Sequence, residues 1–85
     1  MNYEVRYDPS AEKQLEKLPS EITKRIIKKL KGVSGTGRGI ETIKEQMYGF
    51  KIRVGDYRVL VDISYNPHII WVRCIDHRHR VYKRI

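Results

Sequence analysis

Phe50-Lys51-Ile52-Arg53-Val54-Gly55-Asp56-Tyr57-Arg58-Val59-Leu60-Val61 alternates apolar and polar residues, breaks at Gly55-Asp56 and resumes the alternation. Alternation with a period of two is the pattern of a half-buried strand. A two-residue Gly-X break suits a tight type II′ hairpin turn. That turn fixes a register in which Val54 faces Tyr57, Arg53 faces Arg58, Ile52 faces Val59 and Lys51 faces Leu60. One face is then apolar, with Phe50, Ile52, Val54, Tyr57, Val59 and Val61. The other gathers the cations Lys51, Arg53 and Arg58. Like charges directly opposite one another destabilise a sheet, so this cluster calls for an anion, and the identity of that anion is the functional question.

Outward from the hairpin, strands are expected at about 46–54 and 57–64. Asn66-Pro67 predicts a turn, and Ile69-Ile70-Trp71-Val72-Arg73-Cys74-Ile75 reads as a strand buried on both faces. Toward the N-terminus, Tyr3, Val5 and Tyr7 alternate with polar residues and predict a first strand over 2–7. Asp8-Pro9 is a helix start, and Ala11, Leu15 and Leu18 give helical spacing. Pro19-Ser20 ends that helix and opens a second, whose stripe is Ile22, Ile26, Leu30 and Val33, widened by Ile27. Its outer face is basic, with Lys24, Arg25, Lys28, Lys29 and Lys31. Residues 32–39 read as a flexible connection. They imitate a phosphate-binding loop, but Arg38 stands where Lys is needed, Gly39 stands where Ser or Thr is needed, and a helix precedes them instead of a strand. The order of elements predicts an α+β domain in which a two-helix hairpin covers one face of an antiparallel meander and leaves the other face free.

Eighty-five residues, 40% of them hydrophobic, suit one domain over 1–85 with a single modest core. The chain has 18 basic and 10 acidic residues, a formal charge of +8. Its pI is near 9.8. Such an excess favours a polyanionic partner. Residues 51–85 carry eight cations against three acids, and six of those cations are Arg, whose planar fork suits phosphate. Cys74 is the only cysteine, which excludes an intrachain disulfide and fits a reducing cytoplasm. The first residues do not read as a signal peptide, and no apolar run reaches membrane-spanning length. His77 and His79 have no evident third ligand, so no metal site or other cofactor is expected.

The chain resembles the RelE/ParE toxin superfamily. The resemblance rests on Leu15-Glu16-Lys17-Leu18-Pro19, on the hairpin from Phe50 to Val59, and on Ile75-Asp76-His77-Arg78-His79-Arg80-Val81-Tyr82. It covers essentially the whole chain, in order. Within the superfamily, RelE-like members are messenger RNA endonucleases acting at the ribosome, and ParE-like members are gyrase inhibitors without the nuclease residues. The resemblance to RelE implies a toxin of a type II toxin–antitoxin pair, a metal-independent endoribonuclease that inhibits translation, with catalytic positions at Lys51, Arg53, Arg58, Arg78 and Tyr82. The alternative is a ParE-like gyrase inhibitor. The resemblance also implies a RelB-like antitoxin as partner, in a higher-order complex, together with ribosome and message.

Those residues suit RNA cleavage, in which the 2′-hydroxyl attacks the adjacent phosphate. Arg58 and Arg78 suit bidentate phosphate contacts, which Arg53 would share. Lys51 is a candidate base, since neighbouring guanidinium groups push an ammonium pKa downward. Tyr82 is a candidate stacking or proton-relay group. His77 is an alternative acid or base, because an unperturbed imidazole titrates near neutral pH. Lys24, Lys28, Lys31, Arg80 and Lys83 are candidate RNA-backbone contacts.

Overall fold

The hairpin forms in the expected register. In the computed structural model, which describes residues 2–43 and 49–81, Arg53 lies opposite Arg58, Ile52 opposite Val59 and Lys51 opposite Leu60. Gly55 turns the chain at φ 58°, a conformation that glycine adopts without steric cost. The elements in chain order are β1 (Glu4–Tyr7), α1 (Pro9–Lys17), α2 (Ser20–Thr36), β2 (Ile40–Thr42), β3 (Phe50–Val54), β4 (Tyr57–Tyr65) and β5 (His68–His77). They build a five-stranded sheet in the order β1-β5-β4-β3-β2. Strands β2 to β5 form the antiparallel meander, and β1 adds to β5 in parallel, so the sheet is mixed. No helix among the described residues is long and apolar enough to cross a membrane.

The main core lies between the helices and one sheet face. Ala11 from α1 and Ile26, Leu30 and Val33 from α2 pack on Ile52, Val59, Val61, Ile70, Val72 and Ile75. In β5 the core residues change parity, from Ile70 and Val72 to Ile75. A strand cannot face both sets inward without an extra residue, and the β4–β5 register shifts between Leu60 and Val61 to absorb one. That extra residue is Arg73.

Three expectations change. Residues 32–36 are helical, not a flexible connection, and α2 ends only at Thr36. Burial of Val33 on the same stripe as Ile26 and Leu30 carries the helix through Gly32 and Gly35, against a helix cost of about 1 kcal/mol per glycine. The stop is Gly37, left-handed at φ 72°, whose N–H donates to the Val33 carbonyl at 2.7 Å. Second, Ile27 does not join the buried stripe; it keeps 38% of its surface exposed. Third, the sheet face away from the helices is not wholly free. Leu60, Cys74 and Val81 form a small second core there, with Ile43 against it. Burying Leu60 and Val81 contributes roughly 1.5–3 kcal/mol each, and this holds the C-terminal turn on the sheet face. A further strand, β2, was not anticipated, and positions 46–48 of the expected 46–54 strand lie outside the described residues.

Asp8 precedes α1 as expected but gives no side-chain cap; its carboxylate accepts from Arg73 instead. Helix α1 also completes the edge of β5. β1 pairs with β5 only as far as Val72. Beyond it, Ser10 Oγ donates to the Arg73 carbonyl at 3.4 Å, and Gln14 Oε1 accepts the Ile75 N–H at 2.6 Å. A buried backbone donor without a partner is costly. Gln14→Ala should therefore lower unfolding free energy in urea by about 1–3 kcal/mol, with Gln14→Glu, which keeps an acceptor oxygen, losing less. A loss for Gln14→Ala below about 0.5 kcal/mol, the size of an ordinary surface substitution, would contradict this role.

Candidate active site

The β3–β4 register puts Arg53 and Arg58 side by side near the hairpin tip, and β5 adds Asp76 opposite Arg58. Lys51 stands one same-face position further from the tip, opposite Leu60. After β5 the chain turns back onto the tip: the Arg78 N–H donates to the Asp56 carbonyl at 2.7 Å. Arg78 thus reaches the same end of the sheet as Arg53 and Arg58, although a whole strand, β5, separates it from them in sequence.

The local charge balance explains how the cations coexist. Arg53 Nε meets Glu41 of β2 at 2.9 Å. The Arg58 guanidinium donates to the Gly55 and Tyr57 carbonyls, both at 2.9 Å, which anchors it over the turn. Arg78 approaches Asp56 at 4.0 Å in an exposed pair. Each arrangement offsets repulsion locally, Arg53 and Arg78 through exposed ion pairs. Glu41 went unrecognised in the sequence because its strand was not foreseen.

Asp76 is the buried acid of the region, at 6% exposure. It accepts the His77 N–H at 2.7 Å and lies 3.8 Å from Arg80 Nε. The Arg80 N–H donates to the His77 carbonyl, and the His79 N–H to His77 Nδ1 at 3.3 Å. Together with buried Val81, these contacts fix the turn that presents Arg78. A lone carboxylate within a basic tail was the available signal for Asp76. The Arg80 head group, expected as an RNA contact, is held toward Asp76.

His77 does not join the cation cluster. Its strand parity places it with Tyr57 on the helix side, the two rings meeting edge-on at 5.6 Å, and it stacks on His79 at 5.0 Å. Lys28 lines a cleft beside the hairpin tip, while Lys24 and Lys31 do not. Tyr82 and Lys83 lie outside the described residues. Arg73 serves the scaffold: it bonds Asp8 at 2.9 and 3.1 Å and Asp62 at 3.0 Å, and it sits 5.4 Å from the Trp71 ring centroid. Hydrogen bonding to Asp8, then to Asp62, raises its pKa further above the ordinary guanidinium value. Burial raises the Tyr7 phenol above its usual value.

A mixed five-stranded sheet with a helix pair on one face is the fold of the RelE toxins. The toxin–antitoxin complex RelBE of Mycobacterium tuberculosis contains a chain that superposes with a TM-score of 0.82 at 27% identity, covering 92% of this chain and 100% of that one. An Escherichia coli RelE mutant in the free state gives 0.76 at 24% identity, over 100% and 99%. The archaeal RelE–RelB complex of Pyrococcus horikoshii gives 0.71 at 20%, over 95% and 100%. No curated protein sequence matches the chain. The chain belongs to the HigB toxin family, the RelE-like toxic components of toxin–antitoxin systems, whose model matches residues 11–85.

If the hairpin arginines are held for function and Arg73 for structure, their substitutions should separate. Arg53→Ala and Arg78→Ala each break one exposed ion pair and should change unfolding free energy by at most about 1 kcal/mol. Arg73→Ala removes three hydrogen bonds to carboxylates and should cost roughly 1.5–3 kcal/mol. Chemical denaturation of the three variants measures this directly, and equal losses would contradict the division.

Proposed function

We propose that this toxin is a metal-independent endoribonuclease that cuts messenger RNA at the ribosome in the cytoplasm and so inhibits translation. The observation that carries the reading is the convergence of Arg53, Arg58 and Arg78 at one end of the sheet, in a chain of a RelE-like toxin family. The 2′-oxygen forms a bond to the adjacent phosphorus, and the bond from phosphorus to the 5′-oxygen breaks. The 2′-hydroxyl proton goes to a base, and the departing 5′-oxygen receives one from an acid. The products are a 2′,3′-cyclic phosphate and a 5′-hydroxyl. Arg58 and Arg78 bind the non-bridging oxygens as negative charge builds on them. Arg53 holds the strand so that the 2′-oxygen, the phosphorus and the departing 5′-oxygen lie in line, the geometry this intramolecular attack requires. Lys51 is our proposed base and Tyr82 the tail residue that stacks or relays a proton. His77, turned to the other face, has a weaker claim as acid or base.

A RelB-like antitoxin is the proposed partner, in a higher-order assembly, since the similar structures include complexes of RelE with RelB. The gyrase-inhibitor alternative is not favoured: the similar structures are RelE toxins, and an inhibitor acting by protein contact has no need for converging phosphate binders. Expression of the chain without its partner should arrest translation and produce cuts within translated messages, read by primer extension. The double variant Arg58→Ala/Arg78→Ala should lose both effects, with a fall in cleavage of at least about a hundredfold, as for removal of transition-state charge stabilisers. Persistent cleavage by that variant would overturn the site assignment, and inhibited DNA supercoiling without RNA cuts would overturn the activity.

A further inference from the structure

A cleft of about 750 Å³ opens between α2, the loop that follows it and the hairpin tip. Five cations line it: Arg25, Lys28 and Lys29 from α2, Arg38 from the loop, and Arg53 from β3. Among the described residues, no Asp or Glu lines it, unlike the sheet face, where Glu41, Asp56 and Asp76 meet arginines. Val33 and Val54 are its apolar side chains, and the aliphatic stems of the arginines and lysines and the methyl of Thr36 extend the apolar wall beneath the cationic head groups.

The backbone around the cleft is shaped to keep these cations close. Residues 25, 28, 29, 32, 33 and 36 occupy one helical face. Gly37 at φ 72° and Gly39 at φ 90° turn the loop back, and the Arg38 N–H donates to Thr36 Oγ1 at 3.1 Å. Lys29 Nζ lies 3.6 Å from where a Cβ on Gly39 would stand, and an Arg25 nitrogen lies 3.1 Å from where one on Gly55 would stand. The Arg25 approach is tighter than an ordinary Cβ contact and is eased by Gly55 having no side chain, whereas the distance at Gly39 is ordinary van der Waals contact. Arg25 therefore rests against the hairpin turn, whose carbonyls Arg58 contacts.

We propose that this cleft is an RNA exosite, a track for the sugar–phosphate backbone of single-stranded RNA that continues from the sheet face through Arg53. The proposal rests on RNA being the toxin's substrate and adds where the strand runs beyond the cut. Three of the five cations are arginines, suited to successive phosphates, and Arg53 belongs to both surfaces. RNA is favoured over an acidic protein segment because the cleft runs through Arg53 into the arginine cluster proposed to hold the scissile phosphate, so one strand would engage both. The exosite differs from the Lys24, Lys28 and Lys31 set expected from the sequence, because only Lys28 of those three faces the cleft.

The test uses the full chain and a short single-stranded 2′-O-methyl RNA, which has no free 2′-hydroxyl and cannot be cut. Binding is read by fluorescence anisotropy across a salt series. Lys29→Gln/Arg38→Gln should weaken binding about tenfold near 0.1 M salt and lower the log–log salt slope by about 1.4, at roughly 0.7 for each phosphate that is no longer neutralised. Lys13→Gln/Lys17→Gln on α1 removes the same charge elsewhere and should weaken binding less than about threefold. Thermal unfolding checks that both variants fold. Equal weakening by the two variants, or none by the first, would overturn the exosite. So would a glutamate-rich peptide that binds the wild-type chain, loses affinity in the first variant and leaves RNA binding unchanged there, since the cleft would then be a protein site. Because the probe cannot be cleaved, a chain that shows the cleft effect but never cuts message would defeat the proposed activity and leave the exosite standing.

Discussion

Two arginines, Arg53 and Arg58, face each other across one rung of the β3–β4 hairpin, and much of the molecule can be understood as making that tolerable. Directly opposed like charges weaken a sheet. The surrounding structure compensates locally. Glu41 comes from the neighbouring strand to Arg53, and the turn's own carbonyls hold Arg58. These partners are exposed or shared, so they stabilise the free chain without neutralising it. The same rung fixes which residues point to the helices. Given Arg53 outward, Ile52 and Val54 must face inward, as Val59 must on β4.

The two sheet faces then divide the work. The helix face holds most of the hydrophobic core and is closed by α1 and α2. The other face carries only a small apolar cluster around Leu60, Cys74 and Val81. That cluster has a purpose beyond packing: it seats the turn that presents Arg78 to the hairpin tip. The bulge at Arg73 links the two roles. It lets Ile75 face the core after Ile70 and Val72 have done so, and it frees the Arg73 guanidinium to join Asp8 at the start of α1 to Asp62 on β4.

Much of this was legible in the amino-acid order because its signals are local. Alternation around Gly55-Asp56 determined the hairpin register residue by residue, and the Ile26-Leu30-Val33 stripe marked the buried face of α2. What escaped was decided by distant contacts. Residues 32–36 look like a glycine loop, yet burial of Val33 makes them helix. β2 is three residues long and exists through pairing with β3. The site was partly legible for the same reason: Arg53 and Arg58 follow from one turn, whereas the seating of Arg78 depends on the distant Asp56 carbonyl and on a turn held by Asp76 and Val81. His77 was attractive by chemistry alone, and strand parity put it on the other face.

In the proposed reaction these arginines act on a phosphate attacked by its own neighbouring 2′-hydroxyl. The most direct measurement is the chemistry of the ends left on a message cut in a purified translating system, read by mass spectrometry of the fragments. Cleavage by this route leaves a 2′,3′-cyclic phosphate on one fragment and a 5′-hydroxyl on the other, with no cut when the nucleotide before the scissile bond is 2′-deoxy. A 5′-phosphate on the downstream fragment, or cleavage that survives the 2′-deoxy substitution, would contradict it.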